Sequence, residues 1–190
     1  MVFYSIIRDA FKSGIKVELR NIKGQGNVNK DILSEIFKYT RNNRNDLVRA
    51  YCCIDTEKQK QSATPLDLSF VRQQIQDRTQ MASVLSVDGI LADPEIESWL
   101  FYDIDGIYKF LKAKNSQRTL SKYVNPKNLC KKDLQTLFKR FKKVYIPGKR
   151  AELLIRSLDM AKIVNACQEL SDGIKRIISQ ANDPTNHLLL

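Results

Sequence analysis

Apolar residues recur along this chain with two different spacings, and each change of spacing marks a predicted element. Phe3, Ile6, Ile7, Ala10 and Phe11 fall at helical intervals, and Ser13-Gly14 ends that pattern. Residues 15–22 then alternate apolar and polar, the period of a strand with one covered face. A turn carrying Gly24 and Gly26 follows. Asn29 is predicted to cap a helix over residues 30–41, where Ile32, Leu33, Ile36 and Phe37 make a single stripe. Residues 47–54 are nearly all apolar, with β-branched and aromatic members. They predict a central parallel strand covered on both faces, ending in Asp55 and Glu57. A helix over residues 65–80 presents Leu66, Leu68, Phe70, Val71 and Ile75, and a second apolar strand covers 82–91.

That second strand runs into Asp93-Pro94-Glu95-Ile96-Glu97-Ser98-Trp99-Leu100, the sharpest change of pattern in the chain. Asp93 suits a helix cap, and Pro94 suits the first turn, where an amide hydrogen has no intrahelical partner. Ile96, Trp99, Leu100, Ile104 and Ile107 line one face of the helix predicted there, which makes Trp99 a core residue. Open α/β sheets seat ligands at such corners, at the carboxyl ends of their strands. Glu95 and Glu97 lie roughly 200° apart on a helical wheel, so they share a site only in the first turn. Carboxylates at that position also stabilise a helix with no further function.

Beyond the corner, residues 112–128 predict a basic loop broken by Pro126. Residues 130–141 predict a helix with Leu134, Leu137, Phe138 and Phe141 inward, and 151–158, 160–170 and 171–179 predict further helices before a tail from 182 onward. The fold class that follows is α/β: a small parallel, Rossmann-like sheet flanked by helices. Residues 1–108 form its core, and a basic helical C-terminal part, residues 109–190, packs on that core.

Charge sharpens the picture. The chain has 190 residues and a net charge of +11, unevenly placed. Residues 88–105 carry six acids and no base, whereas residues 109–150 carry fourteen Lys or Arg and one acid, Asp133. Carboxylates hold cations and lysines hold polyanions, although basic helix faces are also simply solvated. Lys131, Lys132, Lys139, Arg140, Lys142, Lys143, Lys149 and Arg150 are the candidate nucleic-acid contacts. The single histidine, His187, argues against Ser-His-Asp, Cys-His and His-ligated zinc chemistry. Cys52 and Cys53 are adjacent in an apolar run, Cys130 and Cys167 are isolated, and none has metal-ligand spacing, which predicts a reducing, cytoplasmic setting. The start is too short and too quickly charged for a signal peptide, and no apolar run reaches the length of a membrane span.

The order of these elements, with Asp55-Thr56-Glu57 after one strand, Pro94-x-Ile96-Glu97-x-Trp99-Leu100 after the next, Gly24-Gln25-Gly26 and a basic tail with Tyr145-x-x-x-Lys149, resembles an uncharacterised bacterial branch of the Toprim superfamily. That superfamily includes topoisomerases, primases and overcoming-lysogenization-defect nucleases. The resemblance implies Mg²⁺- or Mn²⁺-dependent phosphodiester cleavage of nucleic acid, in a phage-defence or repair role beside an ATPase partner. Under it, Asp55 and Glu57 match the metal-binding acids, with Glu in place of the family's second Asp. Glu97 and Glu95 match the branch's extra acids, with Glu97 as a catalytic group, and Lys149 matches a lysine that neutralises phosphate charge. The family's opening strand and its glutamate have no counterpart here, because the sequence begins inside the helix that follows them. Impaired catalysis is therefore expected. Three readings stand: a metal-dependent nuclease or its inactive remnant, with Asp55, Glu57 and Glu97 sharing a divalent ion; a non-catalytic nucleic-acid-binding or assembly module using residues 109–150; and a globular protein whose partner is another protein.

Overall fold

Helix α1 spans Val28–Asn42, and the residue that starts it is Asn27. The Asn27 Oδ1 accepts from the amides of Asn29, at 3.1 Å, and Lys30, at 3.3 Å. This satisfies donors that the first helical turn leaves unpaired. Asn29, the predicted cap, is instead buried inside the helix. Its Nδ2 donates to the Pro65 carbonyl at 2.9 Å, and its Oδ1 accepts from the Asp67 amide at 2.8 Å. It therefore ties α1 to the turn before the next long helix.

The computed structural model describes residues 16–20, 22 and 27–181, without the side chains of Gln59 and Lys149. The helix expected around Phe3–Phe11, the turn at Gly24 and Gly26 and the tail from 182 lie outside the described residues. Residues 16–20 and 22 are irregular, so the alternating segment forms no strand there.

The chain is α/β, with a parallel pair of strands flanked by helices. Strand β1 (Val48–Asp55) pairs with β2 (Val84–Ala92), and the Val48 amide donates to the Ser83 carbonyl at 2.9 Å. Parallel neighbours need a crossover connection. Here it runs through α2 (Thr56–Gln61) and α3 (Leu68–Gln76), the latter capped by Asp67, whose Oδ1 accepts from the Phe70 amide at 2.9 Å. The helix expected from Pro65 starts later because Asp67, not Pro65, supplies the cap.

Two compact units result. Among the described residues, one comprises Arg20–Leu91 together with 173–181, and the other comprises Ala92–Asp172 together with 16–19. The sequence had suggested one division, at 108/109.

In the first unit, Ile32, Leu33 and Ile36 of α1 meet Val71 and Ile75 of α3, with Met81 and Val87 completing the core. Ala50 and Cys52 of β1 pack against this cluster. The opposite side of β1 is only partly covered. Tyr51 donates through its hydroxyl to Gln180 of α9 (Gln168–Ala181), but Cys53 is exposed. The expectation of a strand covered on both faces therefore fails at Cys53. Gly173 of α9 lies against Ile90 of β2, where a Cβ would stand 3.0 Å from the Ile90 side chain.

In the second unit, the helix expected from Pro94 is broken into α4 (Ile96–Leu100), a single 3₁₀ turn (Phe101–Asp103) and α5 (Ile104–Phe110). Trp99, Leu100, Phe101, Ile107 and Tyr108 are all buried, so Trp99 is the core residue its spacing predicts. The basic loop contains three 3₁₀ turns, Asn115–Gln117, Leu120–Tyr123 and Pro126–Asn128. It is pinned by Tyr123, which stacks on Phe101 with ring centroids 5.3 Å apart. Helices α6 (Lys131–Arg140) and α7 (Glu152–Ser157) follow the apolar spacing closely, whereas α8 (Met160–Ala166) stops at Cys167, short of the expected 170, and α9 begins at once at Gln168. Leu134, Leu137 and Phe138 of α6 are buried, while Phe141 lies just past its end and is half-buried. Among the described residues, no helix is long and apolar enough to cross a membrane.

Candidate nucleic-acid interface

Asp55 ends β1 and is buried, and its carboxylate pairs with the Lys58 ammonium at 2.9 Å. Glu57, in the first turn of α2, accepts from the Gln61 Nε2 at 2.6 Å. These two acids belong to the first unit, and Glu95 and Glu97 belong to the second. Among the described residues, no three His, Cys, Asp or Glu side chains are grouped so as to hold a metal ion. Asp55 and Glu57 are each engaged already, one by Lys58 and the other by Gln61.

The acidic corner is built differently from its sequence expectation. The Asp93-Pro94 peptide is cis, and α4 begins at Ile96 with Glu95 in the capping position. Ser98 closes the corner by donating its hydroxyl to the Glu95 carbonyl at 2.7 Å. The Glu95 side chain is thereby aimed at the start of α6. Its Oε2 accepts from the Lys131 amide at 2.9 Å, while the Cys130 amide donates to the Asp133 Oδ2 at 3.0 Å. Two carboxylates thus sit at the positive end of a ten-residue helix, where negative charge is stabilised. Glu97 accepts from the Tyr145 hydroxyl at 3.3 Å. Burial raises the Tyr145 pKa well above the ordinary tyrosine value, and the Glu97 charge adds to it, so Tyr145 stays a neutral donor. The Lys149 side chain lies outside the described residues.

Capping α6 in this way fixes the direction of its basic face. Lys132 and Lys139 are seven residues apart, almost the same bearing on a helix, with Arg140 beside them. All three are exposed, as are Lys142 and Arg150, while Lys131 and Lys143 are half-buried. Arg140 is held by hydrogen bonds from its guanidinium to the Thr119 hydroxyl, 2.6 Å, and the Gln117 carbonyl, 2.8 Å. Lys143 donates to the Phe110 carbonyl at 3.1 Å and lies over the Phe110 ring. Among the described Lys and Arg side chains of residues 109–150, only Arg118 and Lys127 pair with a carboxylate, Asp105 and Glu169 respectively.

Two polar clusters were not visible in the sequence. In the second unit, buried Asp103 accepts from the Asp159 amide at 2.9 Å, the Lys162 ammonium at 3.2 Å and the Gly106 amide at 3.3 Å. Burial pushes its pKa up, but these donors outweigh burial and hold it below the ordinary value. A Cβ on Gly106 would stand 2.1 Å from the Asp103 Oδ2, so the carboxylate fits only because that residue is glycine. In the first unit, Asp88 of β2 accepts from Arg72 at 3.1 Å and Gln180 at 3.4 Å. Acid spacing placed both aspartates in the acidic stretch, but their partners come from distant segments.

Cys52 and Cys167 are poor nucleophiles. Burial, with Cys53 and Asp88 adding to it, raises the Cys52 thiol to about 12, and burial raises Cys167 to about 11. Thiolates are the reactive form, and these groups stay protonated at neutral pH.

Compared with known families, residues 5–177 match the model described as a domain of unknown function, DUF4276. No curated protein and no solved structure matches the chain.

Proposed function

The chain belongs to the DUF4276 family, and from its own geometry we propose that it binds nucleic acid through the basic face of residues 109–150. The observation that carries this reading is the lack of carboxylate partners on that face. Lys132, Lys139, Arg140, Lys142 and Arg150 are exposed and salt-bridged to no described side chain. A face that holds several cations at fixed bearings gains affinity when phosphates displace its counterions. The test is fluorescence anisotropy with a labelled oligonucleotide across a salt series. Binding should weaken linearly on a log–log plot, and replacing Lys132 and Lys139 with Gln should reduce the slope by about two, near 0.9 per phosphate contact. No binding at low salt, or a slope unchanged by the double substitution, overturns the proposal.

A second reading, supported by the buried Asp55 at the carboxyl end of a parallel strand, is metal-assisted phosphodiester cleavage of the Toprim kind, with an ATPase partner by analogy. Asp55 and Glu57 would hold the Mg²⁺ or Mn²⁺. When bound, such an ion supplies charge neutralisation at a phosphate. Asp55 keeps the site closed by its pairing with Lys58 until a cation competes for it. If this reading holds, Mg²⁺ raises the melting temperature of the wild type and not of Asp55→Asn. Identical melting curves with and without Mg²⁺ reject it.

A further inference from the structure

A cleft of about 300 Å³ opens within the basic stretch of the second unit. Its floor is Phe110, Phe138, Tyr145 and Leu154, and its walls carry Val144 and Ile146. Lys143 and Arg150 stand at the same cleft. Protein interiors leave few voids larger than a water molecule, so an open apolar recess of this size is a place for a ligand group. At the cleft the chain leaves aliphatic side chains in solvent: Val144 is 79% exposed and Ile146 38%. Exposed apolar side chains beside a charged recess are a feature of protein-contact sites.

We propose that this cleft docks an acidic peptide segment of a partner protein, with one large apolar side chain seated in the recess and its carboxylates on the basic rim. Charge complementarity sets the sign of the partner: Lys143 and Arg150 line the cleft, whereas the nearby acids are taken up, Glu97 by the Tyr145 hydroxyl, Glu152 by Arg156 and Asp133 by the Cys130 amide. The volume suits one Leu or Phe side chain. The state of the aromatic rings distinguishes a peptide from a nucleobase. Phe138 packs against Phe110 and Tyr145, with centroids 6.1 and 5.5 Å apart, and both Phe138 and Tyr145 are buried. Lys143 covers the Phe110 face at 5.1 Å. No ring of the cleft therefore offers the open face that base stacking needs. What is offered is aliphatic edge, which suits an apolar side chain.

The probes are two short fluorescein-labelled peptides of Asp and Glu, one with a central Phe and its twin with Ser, and a single-stranded oligonucleotide of equal charge. All are titrated into the full chain. The Phe peptide should bind about tenfold more tightly than its twin, the worth of burying one large side chain. Val144→Asp, at an exposed position, should remove that preference while the melting temperature stays unchanged. Arg150→Glu should weaken both peptides. Twins of equal affinity, or a preference that survives Val144→Asp, overturn the proposal. An oligonucleotide affinity that falls with Val144→Asp while the peptides do not discriminate would give the cleft to nucleic acid and overturn it equally. Loss of oligonucleotide binding with Lys132 and Lys139 replaced tests the basic face separately, so the two outcomes stay distinct.

Discussion

Replacing Asp103 with Asn tests whether a buried carboxylate fastens the second unit. The side chain of Asp103 is 7% exposed and faces three donors. A hydrogen bond to a charged group contributes about 1.5–3 kcal/mol. The Asp159 amide, at 2.9 Å, earns that full range. The Gly106 amide at 3.3 Å is longer and weaker. Lys162 is 45% exposed, so solvent screening leaves its pairing about 0–1 kcal/mol. Asn also turns an amide donor toward donors, and the expected loss is about 2–4 kcal/mol. For a chain of this length that lowers the melting temperature by about 4–16 °C. The assay is urea unfolding followed by the fluorescence of Trp99, the one tryptophan, buried in the same unit. The pH dependence has a definite sign. The folded pKa lies below the ordinary 3.8, so this stabilisation is present above that value and is lost as pH falls through the lower folded value. The gap between wild type and Asp103→Asn should therefore close in strong acid. Gly106→Ala should act on the same network, and combining it with Asp103→Asn should cost less than the sum of the two. A gap under about 0.5 kcal/mol at pH 7, or one that persists unchanged into strong acid, would refute the reasoning.

Two further changes follow from the packing. Glu95→Gln removes charge from the start of α6 and should cost about 1 kcal/mol in urea, with or without Mg²⁺; a Mg²⁺-dependent stabilisation lost in this variant would instead make Glu95 a metal ligand. Gly173→Leu forces a side chain against Ile90, where even a Cβ stands 3.0 Å away. It should destabilise by about 1–3 kcal/mol in the same urea assay, and a neutral result would mean that α9 and β2 part easily.

The sequence revealed most where local spacing decides structure. The stripe of Ile32, Leu33 and Ile36 and that of Leu134, Leu137 and Phe138 became buried helix faces, because a 3.6-residue period needs no distant information. The α/β class was readable for the same reason. Caps and breaks were less so. Asn27 and Asn29 are equally good caps by type, and only the contact of Asn29 with Pro65 and Asp67, far along the chain, decides between them. The helix expected from Pro94 breaks because the Asp103 carboxylate caps α5 through the Gly106 amide. Acids singled out by clustering were real features, but their partners lay 36 residues away for Glu95, 48 for Glu97 and 56 for Asp103. Such distances leave no mark in local pattern. The recess at Val144 and Ile146 needed Phe110 and Leu154, from distant segments, to be brought alongside.

The link from Glu95 to the Lys131 amide joins an acidic corner to the cationic helix 36 residues later. If the basic face binds nucleic acid as proposed, Glu95 would help set the bearing from which Lys132 and Lys139 approach it. On that proposal, affinity for a polyanion should drift with substitutions at the corner even when every lysine is kept, so a survey of natural variants that scored only the basic positions would miss that contribution.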